Sequence, residues 1–190
     1  KKLYAGKVTL CDHWIGVFLD RVRAMGLYES SLIVFVTDHG APFGEHGYIK
    51  KAEPGLYQNL VHIPLIIRHP EGLAAGKRFS PLVETTEIFP TILDFMKVQQ
   101  PPKIHGTSLL PLMAGKVPSI RDYAYMGHFK RNWAVTDGDW KFILNFDKGK
   151  SNELYSLQAD PEEKNNLLNE ERQRSVELEL ELRRFVAGLR

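Results

Sequence analysis

Apolar positions recur along the first part of the chain at alternating steps of four and three: Tyr4, Val8, Cys11, Ile15, Phe18, Val22 and Met25. That period places them on one face of an amphipathic helix. Gly26 is placed to end it. Leu32–Val36 is apolar without alternation, which predicts a central parallel strand covered on both faces. Val61–Pro70 predicts a second buried strand, and Pro81–Val83 the start of a third. The stretch ETTEIFPTILDFMKV predicts a short helix. Ile88, Thr91, Ile92 and Phe95 share a face there, and Pro90 fits its first turn. Gln99–Pro102 and the residues up to Gly115 are rich in Pro and Gly and predict loop.

The pattern changes near Lys116. Short alternating pieces follow: Tyr123–Gly127, Asn132–Asp137, Trp140–Phe146 and Glu153–Leu157. Asp137-Gly138 between two of them is a hairpin signal. Asn169 is placed to cap a last helix, in which Leu178, Leu182, Phe185 and Leu189 form an apolar stripe. Residues 1–115 therefore read as part of an α/β domain. Residues 116–190 read as a small antiparallel sheet with a C-terminal helix.

Composition narrows the classes. Of 190 residues, 43% are hydrophobic and 25% charged, which suits a packed core. The net charge of +2, with acids and bases interleaved, offers no nucleic-acid footprint. No apolar run reaches the ~20 residues that span a bilayer. The acidic run VELELELRRF reads as a solvated helix face. The single cysteine, Cys11, lies on the apolar stripe and reads as a small packed hydrophobe rather than a nucleophile.

The chemistry concentrates in TDHGAPFGEHGYIKK, Thr37–Lys51. Asp38 and His39 follow directly on a predicted buried strand, where ligands of α/β sheets gather. Gly40 lets the chain turn, so that a carboxylate and an imidazole can converge on one divalent ion, the alternative being a structural Asp at a strand end beside an exposed His. Gly40, Gly44 and Gly47 lie within eight residues and allow close backbone approach. Lys50 and Lys51 lie beyond. An ammonium near a metal is repelled unless an anion lies between them, so metal plus lysine implies an oxyanion substrate such as a sulfate or phosphate ester. His46 reads as a hydrogen-bonding loop anchor, with support of a metal ligand as the alternative. Glu84 and Glu87 read as charges favouring a helix N-terminus.

SLIVFVTDHGAPFGEHGYIKK followed by GLYQNLVHIPLIIRHP closely resembles the C-terminal half of type I sulfatases of the alkaline phosphatase superfamily. VETTEIFPTILDFMKV, GTSLLPLMAG, DWKFIL and ELYSLQADPEEKNNL continue the resemblance in order. Glu87 stands where the family pattern has Asp, and Tyr57-Gln58-Asn59 and His62-Ile63-Pro64 depart from it. The resemblance implies part of an alkaline-phosphatase-like α/β/α sandwich, followed by the small antiparallel sheet and helix. It implies metal ligands at Asp38 and His39 and a sulfate contact at Lys51, with Lys50 and His46 as secondary candidates. The implied metal is calcium, with manganese or magnesium as alternatives. The implied substrate is a sulfate or phosphate ester of a small molecule or glycan.

The same resemblance implies a formylglycine nucleophile made from Cys or Ser in a Cys/Ser-x-Pro/Ala-x-Arg motif. Cys11 is followed by Asp-His-Trp-Ile, and no such motif occurs in the sequence. The expectation is a C-terminal portion of a longer sulfatase, inactive alone, with apolar surface that favours self-association. Two rivals share these residues: a phosphonate monoester hydrolase or phosphodiesterase of the superfamily, and a non-catalytic remnant.

Overall fold

The computed structural model describes residues 2–49, 55–128 and 131–189. Lys50 and Lys51 lie outside the described residues. The described chain forms two compact units. One holds the residues up to Val36 with Pro64–Arg78, and the other holds Thr37–Ile63 with the residues from Phe79 onward.

The first unit contains α1 (Lys2–Ala24), β1 (Ile33–Val36) and β2 (Leu65–Arg68). Gly26 ends α1 as its sequence predicts. It takes φ 70, and Leu27 N–H reaches back to Val22 O at 3.1 Å. That closes a left-handed cap at a position suited to a residue without Cβ. Cys11 is exposed and α1 buries none of its residues, so the packed role expected for Cys11 is overturned. The stripe was correctly periodic, but periodicity names a face and not what covers it. The β1 and β2 strands pair antiparallel, from Ile33 opposite Arg68 to Val36 opposite Leu65, and not as the parallel strand expected. An apolar run fixes neither the direction of its partner nor its cover, and Ile66 is 61% exposed. Arg68 anchors β2. Its guanidinium donates to Tyr28 O and Ser31 O, pairs with Glu29 at 2.9 Å and lies 4.3 Å over the Tyr28 ring.

The second unit is built on a four-stranded antiparallel sheet in the order β3 (Ala124–His128), β4 (Asn132–Thr136), β5 (Trp140–Asn145) and β6 (Glu153–Ser156). All four strands fall on the predicted segments. Gly138 at φ 98 turns the β4–β5 hairpin. Phe142, Leu144, Val135 and Leu154 on one face meet Leu178 and Leu182 of α5 (Arg172–Gly188). Each such fully buried side chain contributes about 1.5–3 kcal/mol. In α5 the predicted stripe is shifted. Phe185 stacks on Tyr125 at 3.8 Å and Val186 packs on the core, while Leu189 is exposed. Glu171 and not Asn169 is the N-cap residue.

The opposite face of the sheet is also covered. Ala134, Ile143 and Tyr155 pack there with Leu56, Tyr57 and Val61. Those last residues flank and form α2 (Gln58–Val61). Pro81–Val83 forms no strand, and the predicted loop before Gly115 contains the short helix α4 (Leu110–Met113). The helix predicted around Pro90 is α3 (Ile88–Phe95), entered through a 3-10 turn at Thr85–Glu87. Glu84 and Glu87 form a capping box there. They do more than favour a helix N-terminus: Arg121 pairs with both, and Glu87 is fully buried.

Candidate functional site

Thr37, Asp38 and His39 follow β1 in sequence and belong to the second unit. The His39 N–H donates to Asp38 Oδ1 at 2.9 Å, and Thr37 Oγ1 donates to His39 O at 3.2 Å. The backbone N–H of His39 holds the Asp38 carboxyl below its usual range. Asp38 is therefore an anion across the working pH range, and its side chain is 82% exposed.

His39 is oriented from behind. Its Nδ1 donates to Gly40 O at 2.7 Å, which leaves Nε2 as the lone-pair nitrogen. That Nε2 lies 3.6 Å from Asp38 Oδ2. Two donor atoms at this spacing both reach one ion at bond lengths of about 2.0–2.6 Å. A carboxylate oxygen and an imidazole fit a divalent metal as one side of a site. Among the described residues no cluster of three or more His, Cys, Asp and Glu side chains is set to hold a metal.

Among the described residues a Cβ at Gly44 or Gly47 would meet nothing within 4 Å, whereas Gly40 makes the close backbone approach expected of it. It does not take a positive φ. It lies against α2, where its N–H donates to Leu60 O at 2.7 Å and a Cβ would stand 2.1 Å from Asn59 O. Glycine is required there by close approach.

The following loop closes on itself. Phe43 bridges Ile49, Gly44 N–H donates to Tyr48 O at 2.8 Å, and Gly44 and Gly47 take φ 115 and 75. His46 at φ 52 points into the unit. Its ring stacks flat on Tyr57, centroids 3.6 Å apart, and its Nε2 donates to Glu162 O at 3.1 Å. Both nitrogen and ring face are thus engaged within the fold. Tyr57 OH and Tyr155 OH both donate to Glu153 Oε2 at 2.7 Å. Burial first, and then that shared carboxylate, push both phenols above their usual range.

Residues that sequence reasoning did not single out hold these loops: Glu153, Lys141 and Glu163. The available signal was Lys141, a cation inside the apolar run WKFIL. It and Glu163 lie in stretches that carry the sulfatase resemblance, but their spacing along the chain gives no hint that they meet.

A family model described as N-sulphoglucosamine sulphohydrolase, C-terminal, matches residues 44–186. The arylsulfatase of Clostridium perfringens is 33% identical over 178 residues, covering 90% of this chain and 36% of the relative. A solved structure of a protein in complex with its substrate D-glucosamine-2-N,6-O-disulfate matches with a TM-score of 0.83 at 30% identity. That match covers 94% of this chain and 38% of the other. The phosphonate monoester hydrolase of Agrobacterium radiobacter shares the fold, with a TM-score of 0.79 at 22% identity, over 93% of this chain and 39% of the other. The chain spans little more than a third of the curated relative, 36% of its length. Its helices, small antiparallel sheet and C-terminal helix are those of an α/β sulfatase fold. With the family match running through most of its length, the chain belongs to the type I sulfatases of the alkaline phosphatase superfamily, in the family of the N-sulphoglucosamine sulphohydrolase C-terminal region.

Proposed function

We propose that this chain is the part of a sulfate-ester hydrolase that supplies metal ligands and a sulfate-binding cation. The observation that carries the reading is the convergence of Asp38 Oδ2 and His39 Nε2 at 3.6 Å in a chain of the sulfatase family. In it, Asp38 and His39 hold a divalent metal, with calcium favoured by the hard carboxylate and manganese or magnesium as alternatives. The bound ion would supply positive charge to the ester's sulfate oxygens. Lys51, twelve residues after His39, would neutralise another of those oxygens, with Lys50 as the less favoured candidate. Asp38 brings its charge already ionised, and Gly40 O keeps the His39 ring turned with Nε2 outward.

The attacking atom is another matter. The sequence contains no motif for a formylglycine, so these residues stabilise charge and position the ester rather than attack it. The sulfated glucosamine in the related complex favours a sulfated glycan as substrate class. The boundary near residue 115 is part of the same reading, with residues 1–115 belonging to the catalytic domain and 116–190 to a subdomain that backs it. The likeness to a phosphonate monoester hydrolase favours one second reading, transfer at phosphorus.

The test is turnover by the intact protein that carries this chain, with sulfated glucosamine and a phosphonate monoester as competing substrates. Preference for the sulfate ester is expected. Lys51→Ala and Asp38→Ala should each lower kcat/KM by about two to three orders of magnitude. Near-normal turnover in either variant would sink its assigned role, and preference for the phosphonate would install the second reading.

A further inference from the structure

The sheet face opposite α5 carries a charge where packing alone would place an apolar residue. Lys141, in β5 between Trp140 and Phe142, is fully buried. Its Nζ lies 2.6 Å from Oε1 of Glu163, which is equally buried. The same ammonium donates to Leu56 O at 2.9 Å and to Gln58 Oε1 at 3.3 Å. The other carboxylate oxygen of Glu163 accepts the Gln58 N–H at 2.5 Å. Cation and anion therefore each grip one backbone group of the segment that leads into α2.

This arrangement is costly. Burial pushes the Lys141 ammonium below its ordinary range, with Glu163 opposing the shift. Glu163 takes φ 56, a left-handed conformation unfavourable in a residue with Cβ. Its turn is tied by Glu163 N–H to Asp160 O at 3.0 Å and by Asn165 N–H to Asp160 Oδ2 at 2.7 Å. Buried ion pairs contribute little net stability compared with apolar packing. What the pair holds is a better explanation than what it stabilises.

It holds α2, and α2 holds the candidate metal ligands. Gln58 begins α2, Leu60 O accepts the Gly40 N–H, and Gly40 O orients the His39 ring. We propose that the buried Lys141–Glu163 pair is a positioning device for Asp38 and His39, acting through Leu56, Gln58 and the α2–Gly40 contact. The inference rests on the metal reading of Asp38 and His39.

The test uses the intact protein with calcium alone as the probe. The double substitution Lys141→Met/Glu163→Leu removes both charges together, so folding is expected to survive, as apolar replacement of buried pairs often allows. Calcium affinity by calorimetry should fall about tenfold or more. The Gly40 amide should lose its protection from hydrogen exchange while the β4–β5 amides keep theirs. A folded double variant with parental calcium affinity and a protected Gly40 would overturn the proposal. If that variant does not fold, Lys141→Gln/Glu163→Gln takes its place with the same readouts and criterion. Asp38→Ala separates the two ideas. It should abolish calcium binding and leave Gly40 protected. Normal calcium binding by Asp38→Ala would remove the metal reading, while the Gly40 exchange in the double variant would still judge the mechanical link.

Discussion

Gly40 and Asn59 approach so closely that a Cβ on Gly40 would stand 2.1 Å from the Asn59 carbonyl oxygen. The contact joins the residue after His39 to α2. Gly40 N–H also donates to Leu60 O, and Gly40 O accepts from His39 Nδ1. Gly40→Ala is expected to cost about 1–3 kcal/mol, the range for forcing extra volume into a packed contact. Urea denaturation of this variant should show a lower midpoint at an unchanged slope. An unaltered midpoint would mean that α2 shifts freely and does not constrain the ligands.

Among the described residues Arg121 pairs with the fully buried Glu87 carboxylate, and it also pairs with Glu84 at 2.5 Å. Arg121→Ala leaves a buried charge without its partner and should cost about 3–5 kcal/mol. Pairing Arg121→Ala with Glu87→Gln should recover part of that loss. Thermal or urea unfolding of the two variants makes the comparison, and equal destabilisation would contradict the buried-charge account.

In the core between sheet and α5, Phe142 and Leu182 are fully buried while Leu180, on the same helix, is 51% exposed. Phe142→Ala should cost about 3–5 kcal/mol and Leu182→Ala about 2–5 kcal/mol. Leu180→Ala should fall within about 0.5 kcal/mol of the parent. Urea midpoints read all three. Parity between Leu182→Ala and Leu180→Ala would refute the assigned packing face of α5.

Tyr57, Tyr125 and Tyr155 have folded-state values raised above the ordinary 10.0, by burial first and then by Glu153 or Glu181. The unfolded chain then loses these protons at lower pH than the folded one. Stability from the three phenols is complete below pH 10 and declines as pH rises beyond it. In a tyrosinate absorbance titration these three phenols should ionise above pH 10, together with alkaline unfolding. Ionisation of these three near pH 10 with the fold intact would contradict both their burial and their hydrogen bonds to Glu153 and Glu181.

The sequence by itself determined the periodic elements. The strands β3 to β6, the α1 helix with its Gly26 stop and the helix around Pro90 follow from local rules of period, turn chemistry and capping. It also delimited the Asp38-His39 stretch, because costly polar residues beside an apolar run announce themselves. Tertiary structure alone decided what those elements meet. It paired β1 with β2 antiparallel, left Cys11, Tyr4, Val8, Phe18 and Met25 of its stripe exposed, and shifted the packed face of α5 from Leu189 to Val186. It also brought Lys141 to Glu163 and Arg121 to Glu87, pairs separated by more than a strand in sequence. The physical reason is the range of the interactions. Helix and turn preferences act between neighbours, whereas cover, strand direction and charge pairing depend on which distant segment arrives at the same place.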